Sequence, residues 1–492
     1  MIPVNELSDR RAFPDPRGAA TFILSRADYD PDGGVARLAY RFDEGPELVE
    51  RIAFPGAPWP SDPVLQDAFR RALNLLHGIA GVSYYKAGLS SRIALPGPDA
   101  FGLADFLTEL YVQGLAEFGY VNGLDVASRV DFHAVEGFSA SSAEAGPLRL
   151  PDRALVAMGG GKDSLVALDM LRGVGLELMP VCVGTSRLIK ETVRVTGLPL
   201  LQIRRELAPQ LAEMNRAGAW NGHVPVTAIN SAILLCAALL YGYRYIVFAN
   251  ERSADEATLK TTDGREINHQ YSKSSAFEAA FRAMISRMIG SDVEYFSVLR
   301  PFSELGVVQR FSRLQAFHPV FSSCNRNFHL DGPRLSGRWC RDCPKCRFAA
   351  LGLALFLSPV EVKAIQGGDM LDDPDQAGGF RELCGLGRDK PFECVGEAGE
   401  SRAALRTLGQ RTAWREHAVV RALQPELSRV EERNLAVDHA GLLDLPDPAP
   451  HRGARLAGQF GQVLPAERRV FLHCVEQSTL GLGQFMHYIC SS

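Results

Sequence analysis

Between residues 153 and 249 the hydrophobic pattern switches repeatedly between two periods. Short apolar runs at Ala154–Met158, Glu177–Val183, Pro199–Ile203 and Tyr243–Ala249 predict strands. Runs with apolar residues three and four apart, at Leu165–Val174, Arg187–Thr196 and Thr227–Tyr241, predict helices. Strands alternating with helices imply an α/β fold, a parallel sheet with helices on both faces. Ligands in such sheets lie beyond the carboxyl ends of the strands. Helical patterns return at Ala276–Ile289, Arg347–Leu357 and 411–435.

The flanks follow other patterns. Thr21–Leu24 and Val35–Phe42 predict strands joined by the turn Asp30–Gly34. Helices are predicted at Pro63–Ile79 and at Ala100–Phe118, where Phe101, Leu103, Phe106, Leu107 and Leu110 share a face. These make an N-terminal α+β module over residues 1–145, with Ser139–Pro147 as linker. The α/β domain then covers 150–320 and a Cys-rich, mostly helical region 321–440. The tail, 441–492, contains the Pro-rich break Asp444–Gly453 and is assigned no role.

Composition narrows the picture. At 492 residues two or three domains are expected. A net charge of −4 argues against a partner held by phosphate neutralisation, so no nucleic acid is expected. The longest apolar runs, Ala232–Tyr241 and Phe348–Leu357, are too short to span a bilayer, and Met1–Glu6 has no secretory character. A cytoplasmic protein is expected, its ten cysteines mostly dispersed and reduced. Oligomeric state has no signature in the sequence.

The chemistry centres on Gly159-Gly160-Gly161-Lys162-Asp163-Ser164, set between a strand and a helix. Glycines admit close approach of backbone N–H groups to an anion, and a helix N-terminus is partially positive. A Walker A loop is excluded, because Val156 stands at its first glycine and Asp163 follows Lys162. A dinucleotide fingerprint is excluded by Ser164. The loop is similar to the Ser-Gly-Gly-x-Asp-Ser loop of the ATP pyrophosphatases (PP-loop), with Gly159 in place of the first serine. Asn250–Ser253 follows the last predicted strand, and Asn268–Ser274 is dense in hydrogen-bonding groups. Cys340, Cys343 and Cys346 at C-x2-C-x2-C, with Cys324 upstream, are four soft ligands suited to structural zinc. An iron–sulfur cluster or plain reduced thiols are the other readings. The spacing resembles the zinc site of the 7-deazaguanine-forming ATP pyrophosphatases.

Together the glycine loop, Asn221–Thr227, Asn250–Ser253, Asn268–Ser274 and Lys390–Gly396 resemble the bacterial UDP-N-acetylmuramoyl-L-alanyl-L-glutamate epimerases, the MurL family, over roughly residues 1–440. The resemblance implies use of ATP and Mg2+ to convert the terminal L-glutamate of a UDP-linked dipeptide to D-glutamate. AMP and diphosphate are released, and the product serves peptidoglycan synthesis. Gly159, Gly160, Gly161, Lys162, Asp163 and Ser164 are then expected to bind ATP and Mg2+. Lys273, Glu251, Arg252, His269 and Cys394 are the candidate catalytic residues. The alternatives are a PP-loop ligase or thiolase adenylating a carboxylate, modified base or tRNA, and an ATP-binding sensor without chemistry.

Overall fold

The computed structural model describes residues 15–96, 102–134, 147–261, 264–328, 335, 337–387 and 391–430. Ala100, Phe101, most of the expected linker, Lys390, residues 431–435, the Asp444–Gly453 break and the tail lie outside them. The chain forms two compact units. One comprises Met1–Arg149, Ile203–Tyr241 and Ala283–Ser291, the other Leu150–Gln202, Gly242–Arg282 and Asp292–Ser492.

In the first unit, Thr21–Asp30 and Val35–Phe42 pair antiparallel around the Asp30–Gly34 turn. Leu48–Ala53 joins antiparallel on one side and Arg92–Leu95 parallel on the other. The strand foreseen at Pro199–Ile203 runs Leu201–Glu206 and pairs antiparallel with Leu48–Ala53 through Arg204, Arg205 and Glu206. Helix Pro63–Ala80 starts on the Asp62 cap, whose carboxylate accepts from Val64 N at 2.9 Å, with Pro63 in its first turn. It packs on Val226–Tyr241, a helix apolar almost all round and therefore buried. The continuous helix expected to Phe118 breaks at Leu115 into Leu103–Gly114 and Ala116–Asn122.

The second unit holds four adjacent parallel strands. Their order is Glu294–Ser297, Tyr245–Phe248, Arg153–Ala157, Glu177–Val183. The chain leaves Arg153–Ala157 toward Glu177–Val183, then returns to place Tyr245–Phe248 on its other side. That reversal is a topological switch point, where open α/β sheets form a crevice at the strands' carboxyl ends. Helices Lys162–Leu171 and Arg187–Thr196 flank the sheet. One apolar core runs from Val156 and Val247 through Phe311, Phe321 and Phe348 to Leu405 and Leu427. The helices Pro344–Ala354, Pro359–Gln366, Ala377–Leu383, Ala398–Gln410 and Ala418–Leu427 close over it. Of the stretch 411–435, only Ala418–Leu427 is α-helix among the described residues. No helix of the described residues is long and apolar enough to cross a membrane.

Candidate active site

The glycine loop leaves Arg153–Ala157 at the switch point. Gly160 has φ +77°, which a side chain rarely adopts, and a Cβ there would lie 3.1 Å from Ile189 Cγ1. Gly161 is the N-cap of helix Lys162–Leu171 and offers no side-chain cap, so the first N–H groups of the helix keep their capacity for an anion. The Ser323 hydroxyl is buried without a hydrogen-bond partner among the described residues and would be 3.3 Å from a Gly161 Cβ. An uncapped helix start, two glycines and an orphan hydroxyl suit an anion such as a phosphate. Ser164 Oγ donates to Gly161 O at 3.1 Å, turning back on the loop.

The Lys162 amine turns to carboxylates. Its Nζ donates to Asp163 Oδ1 at 2.7 Å and to Glu304 Oε1 at 2.5 Å. Burial opposes its charge, but Asp163 and Glu304 outweigh burial and hold its pKa above the ordinary lysine range. Burial pushes Glu304 up to about 8, with Lys162 opposing and Asp163 and Glu251 adding to the rise. Glu304 Oε2 has no hydrogen-bond partner among the described residues. Glu400 is fully buried and bridges two helix starts, accepting from Leu305 N and Glu397 N at 2.9 Å each. Burial and the Glu304 charge push it up to about 7, against both backbone donors.

Asn250–Ser253 follows Tyr245–Phe248 at the same end of the sheet. Glu251 accepts from Ser253 N and Oγ, both at 2.6 Å. Burial, reinforced by Glu400 and Asp163, pushes Glu251 up to about 7 despite the two Ser253 bonds. Arg252 lies 3.5 Å from Glu397. Arg300 ties this turn to the next loop, donating to Glu251 O at 3.2 Å, Lys273 O at 2.8 Å and Glu278 Oε2 at 2.7 Å.

The Asn268–Ser274 loop carries the closest approach between candidate catalytic groups. Lys273 Nζ donates to Cys394 Sγ at 3.0 Å. His269 hydrogen-bonds to the same sulfur. Burial alone would raise this thiol; Lys273, Lys345 and His269 outweigh it and hold Cys394 well below the usual thiol range. Lys273 is shifted up in turn, burial being overcome by Cys394, Asp163 and Glu251. The candidates Lys273, His269 and Cys394 are therefore in contact, Glu251 and Asp163 act on Lys273 through charge, and Arg252 faces Glu397.

Cys324, Cys340, Cys343 and Cys346 converge, their sulfurs all within 4.8 Å of one another. Tetrahedral zinc with bonds of about 2.3 Å spaces its sulfurs about 3.8 Å apart, so the donor set fits that ion. Cys343 caps helix Pro344–Ala354 and Cys346 lies in its first turn. Glu304, Glu400, Arg300 and Ser323 are absent from the sequence-based selection. Only Glu400 had a local signal, the capping-box spacing with Glu397.

Comparison with known proteins defines the lineage. A model of the MurL N-terminal domain matches residues 14–298, and one of the MurL C-terminal domain matches 320–438. The chain belongs to the MurL family. A relative from Xanthomonas oryzae pv. oryzae is 47% identical over 421 residues, covering 84% of this chain and 92% of that protein. Others from Salinispora tropica (41%, 86% of this chain, 90% of the relative) and a Micromonospora species (40%, 86% and 92%) are similar. All three are named UDP-N-acetyl-alpha-D-muramoyl-L-alanyl-L-glutamate epimerase. Epimerases are isomerases, and this MurL family member is an enzyme of that class.

Proposed function

We propose that the chain inverts the glutamate α-carbon of UDP-N-acetylmuramoyl-L-alanyl-L-glutamate, with ATP as co-substrate, for peptidoglycan synthesis. The observation that carries this reading is Cys394 Sγ at 3.0 Å from Lys273 Nζ, in a charged cluster at the sheet's switch point. A hydrogen beside an ionised carboxylate is hard to remove, because the carbanion would gather a second negative charge. Transfer of AMP to that carboxylate removes the charge, and hydrolysis afterwards makes the turnover irreversible.

The residues divide this work. The backbone of Gly159–Gly161, the start of helix Lys162–Leu171 and the Ser323 hydroxyl take the phosphates, as in a PP-loop. Asp163 and Glu304 Oε2 are hard oxygen donors suited to Mg2+, which would neutralise the diphosphate. Lys162 holds those two carboxylates in place. Cys394, kept as thiolate by Lys273 and His269, takes the α-proton. Glu251, kept partly protonated near pH 7 by burial, returns a proton on the other face. Lys273 and Arg252 supply positive charge during adenylyl transfer. The four cysteines would hold a structural zinc, which would brace the segment before helix Pro344–Ala354.

The test is stoichiometric. Purified protein with ATP, Mg2+ and the UDP-linked dipeptide is expected to yield D-glutamate-containing product with one AMP and one diphosphate per turnover. A product carrying new nitrogen or sulfur would make the chain a ligase or thiolase, and epimerisation without AMP would remove the adenylation step.

A further inference from the structure

Lys86, on helix Val82–Gly88 in the first unit, is 4% exposed. Lys162 and Arg300 are buried as deeply, and each meets a carboxylate, at 2.5 and 2.7 Å. Among the described residues Lys86 instead donates to the neutral Asn221 Oδ1 alone, at 2.6 Å. No carboxylate lies within ion-pair distance of it among the described residues, and burial alone lowers it to about 8. An ammonium has three donors, and a buried cation without a counter-charge is costly to the fold. Its place in the last turn of a helix suits a positive charge, but that explains a surface lysine, not one enclosed beside a neutral amide.

The surroundings open toward solvent. Asn221 and Gly222 are exposed. Asn221 Oδ1 also accepts from Gly222 N at 2.9 Å, so the turn is organised around the atom that Lys86 holds. Asn122 Nδ2 reaches Asn221 O at 3.4 Å, and His223 Nδ1 lies 3.5 Å from Glu117. Glu117 answers His223, but the enclosed Lys86 cation has only a neutral amide beside this exposed turn, and its own counter-charge is missing among the described residues.

We propose that Lys86 and the Asn221–His223 turn bind an oxyanion of the substrate, a carboxylate or a phosphate. This assignment rests on the epimerase reading for the identity of that substrate, which carries both groups. The free chain tolerates the uncompensated lysine, and the bound anion completes the pair.

Calorimetry on the full chain tests it, comparing wild type with K86M against UDP-N-acetylmuramoyl-L-alanyl-L-glutamate, UDP, and L-alanyl-L-glutamate. K86M is expected to bind the full substrate about ten- to a hundredfold more weakly, the scale of one charge-assisted hydrogen bond. The same loss for UDP assigns the phosphate, and for the free dipeptide the carboxylate. K86M is also expected to melt at a higher temperature, because a buried charge is gone, whereas a lysine kept for structure would lower it. Unchanged substrate affinity in folded K86M overturns the assignment and leaves the epimerase reading standing. Wild-type binding without turnover, lost in K86M, does the reverse. Wild-type protein that binds none of the three probes overturns both.

Discussion

Cys394 and Lys273 are 121 positions apart in the chain and 3.0 Å apart in space. The Lys273 ammonium counters the burial that would otherwise protonate the thiol. K273M is therefore expected to move thiolate absorbance near 240 nm to higher pH and to lower kcat by roughly a hundred- to ten-thousandfold; an unchanged titration would separate the two residues functionally. The buried glutamates make a second prediction. Glu400 titrates near 4.5 when unfolded and at about 7 when folded. The native state thus holds its proton more tightly, and this contribution to stability is full below about pH 4.5 and lost as pH rises to about 7. Melting temperatures of E400Q across that window are expected to fall less steeply with pH than wild type, and parallel curves would refute the assignment. Residue type together with the resemblance to the MurL family made Lys273, His269 and Cys394 legible as candidates in the sequence. Glu304 and Glu400 lie in segments for which no helix is predicted from the sequence, and only folding brings them to Lys162 and to the start of helix Glu304–Ser312.

Among elements, the strand–glycine–helix junction was the most legible because three constraints agree there: an apolar run, a turn that needs positive φ, and a helical period. The glycines are not equivalent. Gly160 has φ +77° and Ile189 against it, whereas a Cβ at Gly159 meets nothing within 4 Å. G159S, which places a serine where the similar PP-loop sequence carries one, is expected to fold and, on the proposed function, to keep its turnover with ATP. G160A is expected to lose about 1–2 kcal/mol of stability from backbone strain, measured by denaturant unfolding, and most of its turnover. Equal behaviour of the two variants would contradict this account of the loop. The cysteine cluster was legible by spacing, though spacing alone could not exclude scattered thiols; sulfurs within 4.8 Å make a ligand set. Elemental analysis is expected to find one zinc per chain, and C343S to lose it with a fall in melting temperature; a metal-free wild type of normal stability would overturn the zinc assignment. The short strand Glu294–Ser297 and the helices Pro359–Gln366 and Ala398–Gln410 escaped sequence reading. A four-residue strand buried on both sides has no period to detect. The two helices are marked by capping boxes, Ser358 with Glu361 and Glu397 with Glu400, signals set by side chains and not by hydrophobic spacing.

At the scale of the molecule, the βαβ alternation announced the parallel sheet, and strand order then decided where its crevice lies. Contacts between distant segments were beyond periodicity. The apolar helix Val226–Tyr241 announces burial but not its partner, which is Pro63–Ala80. Likewise, Leu201–Glu206 reads as a strand without revealing that it runs antiparallel to Leu48–Ala53. The three relatives align with the chain over 90–92% of their own length, and the glycine loop, the Glu251 turn and the Lys273–Cys394 pair come together only in the folded arrangement. The most direct test of that arrangement follows one hydrogen. When the UDP-linked dipeptide is turned over in D2O with ATP and Mg2+, the D-glutamate formed is expected to carry deuterium at Cα, and no exchange is expected without ATP. Inversion that retains the original hydrogen, or exchange that proceeds equally well without ATP, would contradict the account.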